Sequence, residues 1–268
     1  MNLIKSASEI QKIQQAQSHI DEILTKQIPS WLREGVTEKE IAQKLEKTIR
    51  ADGKFELAFP LIVAFGEGAA EPHHIPSQRE LRLHDAILID CGAKYDGWCS
   101  DCTRMFCLGE PTTEFREKYE KVLRIHEEAL LRFRAGTEGS QIDRFVRDRL
   151  GEDEIYFIHS LGHGIGKEVH EDPKIMSQKT RSKSKDQSSQ RPVLNLQEGM
   201  VLTCEPGVYY PRKFGIRIED IFVVRKDGPE ILSQACKDLL ILGRSGYTQE
   251  GWILNSSHIF WLSTDLWD

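Results

Sequence analysis

The chain reads as an α+β protein made of two similar halves, and three observations predict this. Helical periodicity occurs at 6–49 and again at 114–150, and both times short strand-like runs follow. Residues 33–41 (REGVTEKEI) are echoed at 134–142 (RAGTEGSQI), at the same place in the order of each half. The strand-like runs are short and punctuated by turn residues such as Asp96-Gly97. A duplicated unit packed face to face is the expected architecture, and a site at the junction would draw residues from both halves.

The elements follow in order. From 6 to 27, Ile10, Ile13, Ala16, Ile20, Ile23 and Leu24 keep helical spacing, with Ser6 or Ser8 as N-cap. Thr37-Glu38-Lys39-Glu40 is a capping box opening a second helix through Ile41, Leu45 and Ile49, which Gly53 ends. Residues 57–65 and 86–90 read as strands, and the Asp96-Gly97 turn leads to a third. A helix over 114–133 places Phe115, Tyr119, Val122, Leu123, Ala129 and Leu130 on one side, and another runs to Leu150. Strands are expected at 156–160, 200–205 and 215–224.

At 268 residues the chain is long enough to bury a substantial core. A net charge of -6 argues against nucleic acid as a partner, which would call for a basic surface. No apolar run approaches the roughly 18 residues that span a bilayer, and the first residues lack the apolar region of a signal peptide. The six cysteines do not form a spaced disulfide framework, so a reduced, cytoplasmic enzyme is expected. Cys99 and Cys102 form a CxxC, but no second ligand pair accompanies it, which favours buried free thiols over a structural zinc.

Five residues carry the chemistry. Asp90 ends an apolar run, Asp101 follows a Gly-containing turn, and His163 stands in Gly162-His163-Gly164, where glycines allow close approach of metal or substrate. Glu205 precedes Pro206-Gly207, and Glu219 lies in an otherwise apolar strand. Each has a bland alternative: the aspartates as Asx-turns or caps, and Glu219 as the ion-pair partner of Arg217, which shares its face if the strand is regular. Together, four carboxylates and one imidazole suit two hard divalent cations better than one tetrahedral zinc.

The motifs around these residues carry a resemblance. They are Pro72-His73-His74-Ile75-Pro76, Ile89-Asp90-Cys91-Gly92-Ala93, Asp101-Cys102-Thr103-Arg104, His159-Ser160-Leu161-Gly162-His163-Gly164, Val169-His170-Glu171-Asp172-Pro173, Glu205-Pro206-Gly207-Val208-Tyr209 and Gly215-Ile216-Arg217-Ile218-Glu219-Asp220. In this order, from about Ile4 to Leu242, the chain resembles the pita-bread-fold metallopeptidases: methionine aminopeptidase, prolidase and Xaa-Pro aminopeptidase. The resemblance implies two pseudo-symmetric halves of helices packed on a curved antiparallel sheet. It implies a dinuclear site of Asp90, Asp101, His163, Glu205 and Glu219, with Asp101 and Glu219 bridging. It also implies substrate-side His73, His159 and His170, with Glu205 as general base and Arg217 beside the metals. Manganese is the first expectation, with cobalt, zinc or iron as alternatives.

The wording of the Pro-His-His, Glu-Pro-Gly and Gly-Ile-Arg-Ile-Glu-Asp segments resembles the proline-specific branch. The expected activity is hydrolysis of the Xaa-Pro bond at the N-terminus of peptides through a metal-bridging hydroxide. The alternatives are methionine aminopeptidase-like or prolidase-like activity, or a catalytically silent binding module of the same fold. The expected partners are peptides with proline at the second position; no membrane is expected, and a homodimer is left open. Residues 1–245 are read as a stand-alone catalytic domain, without the N-terminal domain that proline-specific relatives carry. Cys204, beside Glu205, stands where relatives often have isoleucine and would make the site oxidation-sensitive. Residues 177–191 (SQKTRSKSKDQSSQR) offer nothing apolar to bury and read as a mobile, solvated loop. The tail 246–268 holds Trp252, Trp261 and Trp267. It is read as packing on the body, making an oligomer contact, or being a divergent or spliced end.

Overall fold

The computed structural model describes residues 2–177 and 195–243. The aromatic tail and all but the first residue of the 177–191 loop lie outside them. Helix α1 (Ala7–Glu22) starts at the expected cap: Ser6 Oγ accepts from Glu9 N–H, and the Glu9 carboxylate accepts from Ser6 N–H at 2.7 Å. The helix expected to reach 27 changes character first. Residues Ile23–Gln27 form a π-turn, followed by a one-turn helix α2 (Ile28–Trp31). Pro29 explains this, because its ring would clash with the Thr25 carbonyl in a regular α-ladder. The Ile28 N–H donates instead to Ile23, five residues back. Helix α3 (Glu38–Ile49) begins at Thr37 with its own reciprocal cap to Glu40.

The strands of the first half are β1 (Phe55–Leu57), β2 (Ile62–Phe65), β3 (Ala86–Cys91), β4 (Ala93–Tyr95), β5 (Trp98–Cys99) and β6 (Cys102–Leu108). The single strand expected over 57–65 is split around Pro60, which has no N–H to give a ladder. Its two parts join different sheets. Asp96 and Gly97 link β4 to β5 with φ of 47° and 80°, the left-handed pair that a tight hairpin requires.

The second half repeats the order with α4 (Thr113–Leu130) and α5 (Gly139–Leu150). Its strands are β7 (Gly162–Gly164), β8 (Glu171–Ile175), β9 (Val201–Cys204), β10 (Gly207–Tyr210), β11 (Phe214–Arg217) and β12 (Asp220–Val224), followed by β13 (Pro229–Ile231) and β14 (Leu240–Leu242). No strand forms at 156–160. Residues Gly151–Tyr156 are a 3-10 helix, and the carbonyls of Phe157 and His159 are taken by the Arg147 guanidinium at 2.9 and 2.7 Å. Those acceptors tie this stretch to α5 rather than to a neighbouring strand.

The helices pack on the sheets as expected, and the two halves are recognisable. The sheet is delivered as four hydrogen-bonded ladders, in the orders β14-β6-β3-β2, β13-β12-β9-β7-β8, β1-β4-β5 and β10-β11. Among the described residues all pairings of named strands are antiparallel except β14 with β6. One apolar core gathers α1, α3 and β3, and another gathers α4, α5 and β9 to β12. The halves are joined where β6 meets β12. Glu219 N–H donates to the Thr103 carbonyl at 3.3 Å. Buried Arg104 donates to the Glu219 carbonyl and to the Asp220 carboxylate, each at 2.6 Å, and to the Ala235 carbonyl at 3.0 Å. Among the described residues no helix is long and apolar enough to cross a membrane.

Two predictions follow from packing. A Cβ at Gly215 would overlap the Ala69 carbonyl, so Gly215→Ala should cost about 1–3 kcal/mol in urea unfolding as β11 is pushed off the 66–70 turn. Asp153 ties α4 to β10: Lys118 and Lys121 reach its oxygens at 2.7 Å, and the Tyr210 hydroxyl donates at 2.8 Å. Burial alone would raise this carboxyl, but those hydrogen bonds outweigh it and hold it down at about 2. The stabilisation is then present above the ordinary aspartate value and lost as pH falls toward 2. Asp153→Asn should cost ~1–2 kcal/mol at pH 7, discounted for the partly exposed lysines. The gap to the native chain should close in unfolding curves taken near pH 2.

Candidate active site

Each half delivers its two acidic side chains from the same place. Asp90 is the penultimate residue of β3, and Asp101 immediately precedes its partner β6, with Asp90 opposite Thr103. Glu205 immediately follows β9, and Glu219 immediately precedes its partner β12, with Cys204 opposite Asp220. The carboxylates thus stand at matching ends of two antiparallel pairs. The seam at Thr103 brings those ends together, and the Thr103 hydroxyl donates to Glu219 Oε2 at 2.8 Å.

His163 projects from the middle of β7. Its flanking glycines also make room for backbone. A Cβ at Gly162 would overlap the Thr203 carbonyl, and one at Gly164 the Asp172 carbonyl. His73, His159 and His170 come from irregular segments outside the strands. All nine residues named from the sequence, namely Asp90, Asp101, His163, Glu205, Glu219, His73, His159, His170 and Arg217, line one cleft of about 600 Å³.

The electrostatics of this cleft are lopsided. Asp101, His163 and Glu219 are buried and bring donor atoms within 4.8 Å of one another. Burial, and then repulsion from the neighbouring carboxylates, pushes Asp101 and Glu219 well above the usual range, and burial pushes Glu205 up to about 8. His163 is pushed down to about 3 by burial and by His170, so its ring is neutral. Its Nδ1 lies 3.0 Å from the Gly164 carbonyl, which only accepts, so the proton belongs there. The bare Nε2 then faces Glu205 at 3.4 Å and Asp101 at 3.7 Å. Asp90 Oδ1 is buried with no hydrogen-bond partner. A lone pair opposed to carboxylates, beside an orphaned carboxylate oxygen, fits a site for hard divalent cations.

Arg217 is placed differently from the simplest expectation. It makes no direct ion pair with Glu219, because the strand breaks between β11 and β12 and the two residues no longer share a face. Its guanidinium donates to Asp90 at 2.7 Å, to the Thr103 hydroxyl at 3.0 Å and to the Tyr209 hydroxyl at 2.7 Å. It reaches Glu219 only through Thr103. Tyr209 in turn lies 2.9 Å from His159 Nε2, while His159 Nδ1 faces the Ser160 carbonyl at 2.7 Å. Burial, and then Arg217, pushes His159 down to about 3, leaving it neutral and fixed in one tautomer.

Thr103 and Tyr209 were not singled out from the sequence. Strand alternation could have flagged both, since Thr103 is two residues from Asp101 and Tyr209 is opposite Gly215, two residues before Arg217. Cys99 and Cys102 are free of disulfide and buried, like every cysteine of the chain except the exposed Cys236. Burial pushes the Cys204 thiol far up, which removes the thiolate that the expected oxidation sensitivity would need.

Comparison with known proteins gives the family. The model of metallopeptidase family M24 matches residues 11–226. An uncharacterised peptidase of Staphylococcus aureus is 38% identical over 232 residues, covering 86% of this chain and 62% of the relative. The X-Pro aminopeptidase of Thermotoga maritima superposes with a TM-score of 0.81 at 39% identity, over 90% of this chain and 65% of that one. The Xaa-Pro dipeptidase of Bacillus anthracis gives 0.82 at 36% identity, over 90% and 64%. The prolidase of Pyrococcus furiosus gives 0.78 at 35%, over 87% and 65%. The chain therefore spans a little under two thirds of the length of the proteins it matches. With the family model covering most of its length and a cleft built from paired carboxylates and histidines, the chain belongs to metallopeptidase family M24.

Proposed function

We propose that the chain is a metal-dependent exopeptidase that cleaves the bond before a proline at the second position of peptides. The observation that carries this reading is the convergence of four carboxylates and five histidines (His73, His74, His159, His163 and His170) from both halves on one cleft. Asp90, Asp101, His163, Glu205 and Glu219 would hold two divalent cations, manganese first, with Asp101 and Glu219 shared between them. Bound there, such ions supply Lewis acidity and lower the pKa of water to near neutrality. We take residues 1–245 as the catalytic unit and the reducing cytoplasm as its compartment, which suits the free buried thiols.

The chain's own residues supply the rest. Arg217 holds Asp90 and Thr103 in place, and Thr103 holds Glu219, so two of the acidic groups are oriented by one hydrogen-bonded chain. Glu205 is the least buried of the four carboxylates and lies 3.9 Å from His159 Nδ1. It is placed to take a proton from water and return it to the leaving nitrogen. A proline nitrogen carries no N–H in the peptide, so that returned proton is essential to its departure. His73 and His170 are the donors available to the scissile carbonyl oxygen. Phe59, Pro60, Leu61, Pro72 and Ile75 line the apolar side of the cleft, where a pyrrolidine ring can pack.

A dipeptidase reading is raised by one further observation. Lys174, the cross-strand partner of His163, lines the same cleft and brings to it the kind of charge that a two-residue substrate's free carboxylate calls for.

Chelation with EDTA should abolish Xaa-Pro hydrolysis, and manganese should restore it. Asp101→Ala and His163→Ala should lose bound metal by elemental analysis and at least about a hundredfold in rate, beyond the usual cost of altering an outer partner. Full activity in either variant would overturn the site. Lys174→Gln should raise KM for Xaa-Pro dipeptides while leaving tripeptides unchanged. An equal effect on both would remove the dipeptidase reading.

A further inference from the structure

Glu38 is the first residue of α3, yet its side chain is fully buried against the segment that carries His73. Its Oε1 accepts from Phe65 N–H at 2.8 Å, at the end of β2. Its Oε2 accepts from the Ser77 N–H at 3.0 Å and the Ser77 hydroxyl at 2.7 Å, and lies 2.9 Å from His74 Nε2. One carboxylate therefore fastens the chain on both sides of His73. The other ring nitrogen of His74, Nδ1, lies 3.1 Å from Glu71 Oε2. The same segment reaches the second half, where the Pro72 carbonyl accepts from Arg217 at 3.4 Å.

Ionised carboxylates only accept, so both ring nitrogens of His74 must donate, which the imidazolium alone can do. Burial opposes that charge, but Glu38 and Glu71 outweigh it and raise His74 above the ordinary imidazole value. Burial would likewise raise Glu38, and the bonds from His74, Ser77 and Phe65 hold it below the usual carboxylate range instead. Arg79, which is bound to Asp85 through two nitrogens, feels the charges of both Glu38 and Glu67.

We propose that Glu38 and His74 are positioning residues that hold the 71–77 segment so that His73 and the Pro72 carbonyl stand against the cleft, with the hold complete while His74 carries both ring protons. This rests on the peptidase reading, in which His73 serves the substrate. As pH rises above the ordinary imidazole range, Nδ1 gives up its proton first, because Glu71 is exposed and Glu38 is buried. The bond to Glu38 survives, so the grip loosens without being lost.

The test compares the native chain with His74→Gln and Glu38→Gln, each loaded with manganese, between about pH 6 and 9. His74→Gln should lower kcat/KM for an Xaa-Pro peptide by about ten- to a hundredfold through misplacement of His73. Metal content should be unchanged, and the high-pH decline of the native profile should be absent from the variant. In the metal-free chain, amide exchange at 71–77 should be faster in both variants. In the native chain it should accelerate with pH beyond the intrinsic rate, in step with the His74 imidazole titration seen by NMR. Should Glu38→Gln fail to fold, Ser77→Ala removes only the hydroxyl donor and reads the same hold with a smaller effect. Native-like exchange at 71–77 in His74→Gln, or a native-like rate and pH profile, overturns the proposal. If the native chain cleaves no peptide with any metal, the peptidase reading fails, and exchange and NMR alone decide the hold.

Discussion

Asp90, Asp101, Glu205 and Glu219 share one largely buried space, and their mutual repulsion is the constraint around which the structure is arranged. Two like charges 4 Å apart at an effective dielectric of 20 repel by about 4 kcal/mol. Four carboxylates in this cleft, with the His163 lone pair among them, exceed what the guanidinium of Arg217 can offset. Burial first, and then that excess of negative charge, displaces Asp101 and Glu219 upward, while one Asp90 oxygen beside them is left without a donor. The divalent cations proposed here would remove that excess.

Holding such a set together falls to the surroundings. Arg104, buried at the seam, binds the Glu219 carbonyl, the Asp220 carboxylate and the Ala235 carbonyl, and thereby fixes where the second half meets the first. Arg217 extends the arrangement upward through Thr103 to Glu219 and through Tyr209 to His159. A buried cation with every donor occupied fixes geometry more strictly than it adds stability. That suits a site whose ligands come from strand ends belonging to two halves.

Much of the fold was legible in the amino-acid order. The N-cap at Ser6, one of the two serines expected, the capping box at Thr37 and the Asp96-Gly97 turn are local signals, and each formed where the sequence placed it. The misreadings have local physical causes too. Pro29 turned the end of a helix into a π-turn, and Pro60 split a strand. Arg147 tied to α5 the stretch read as another. The first two could have been anticipated from proline's missing N–H. The third could not, because it depends on a guanidinium delivered by a helix ten residues away.

By itself the sequence determined which residues could serve as hard ligands, where helices begin and where chains turn, because those choices are settled by bonds spanning three or four residues. It also singled out nine side chains that share the cleft. Only the tertiary structure decided their partners. Arg217 lies two residues from Glu219 yet bonds Asp90, 127 residues distant, because the strand breaks after Arg217 and turns the two side chains apart. The pairing of Glu38 with His74 across 36 residues, and of Thr103 with Glu219 across 116, likewise depends on how separate segments are packed. Such packing is set by the register of strands and the meeting of two cores, which no short stretch of sequence contains.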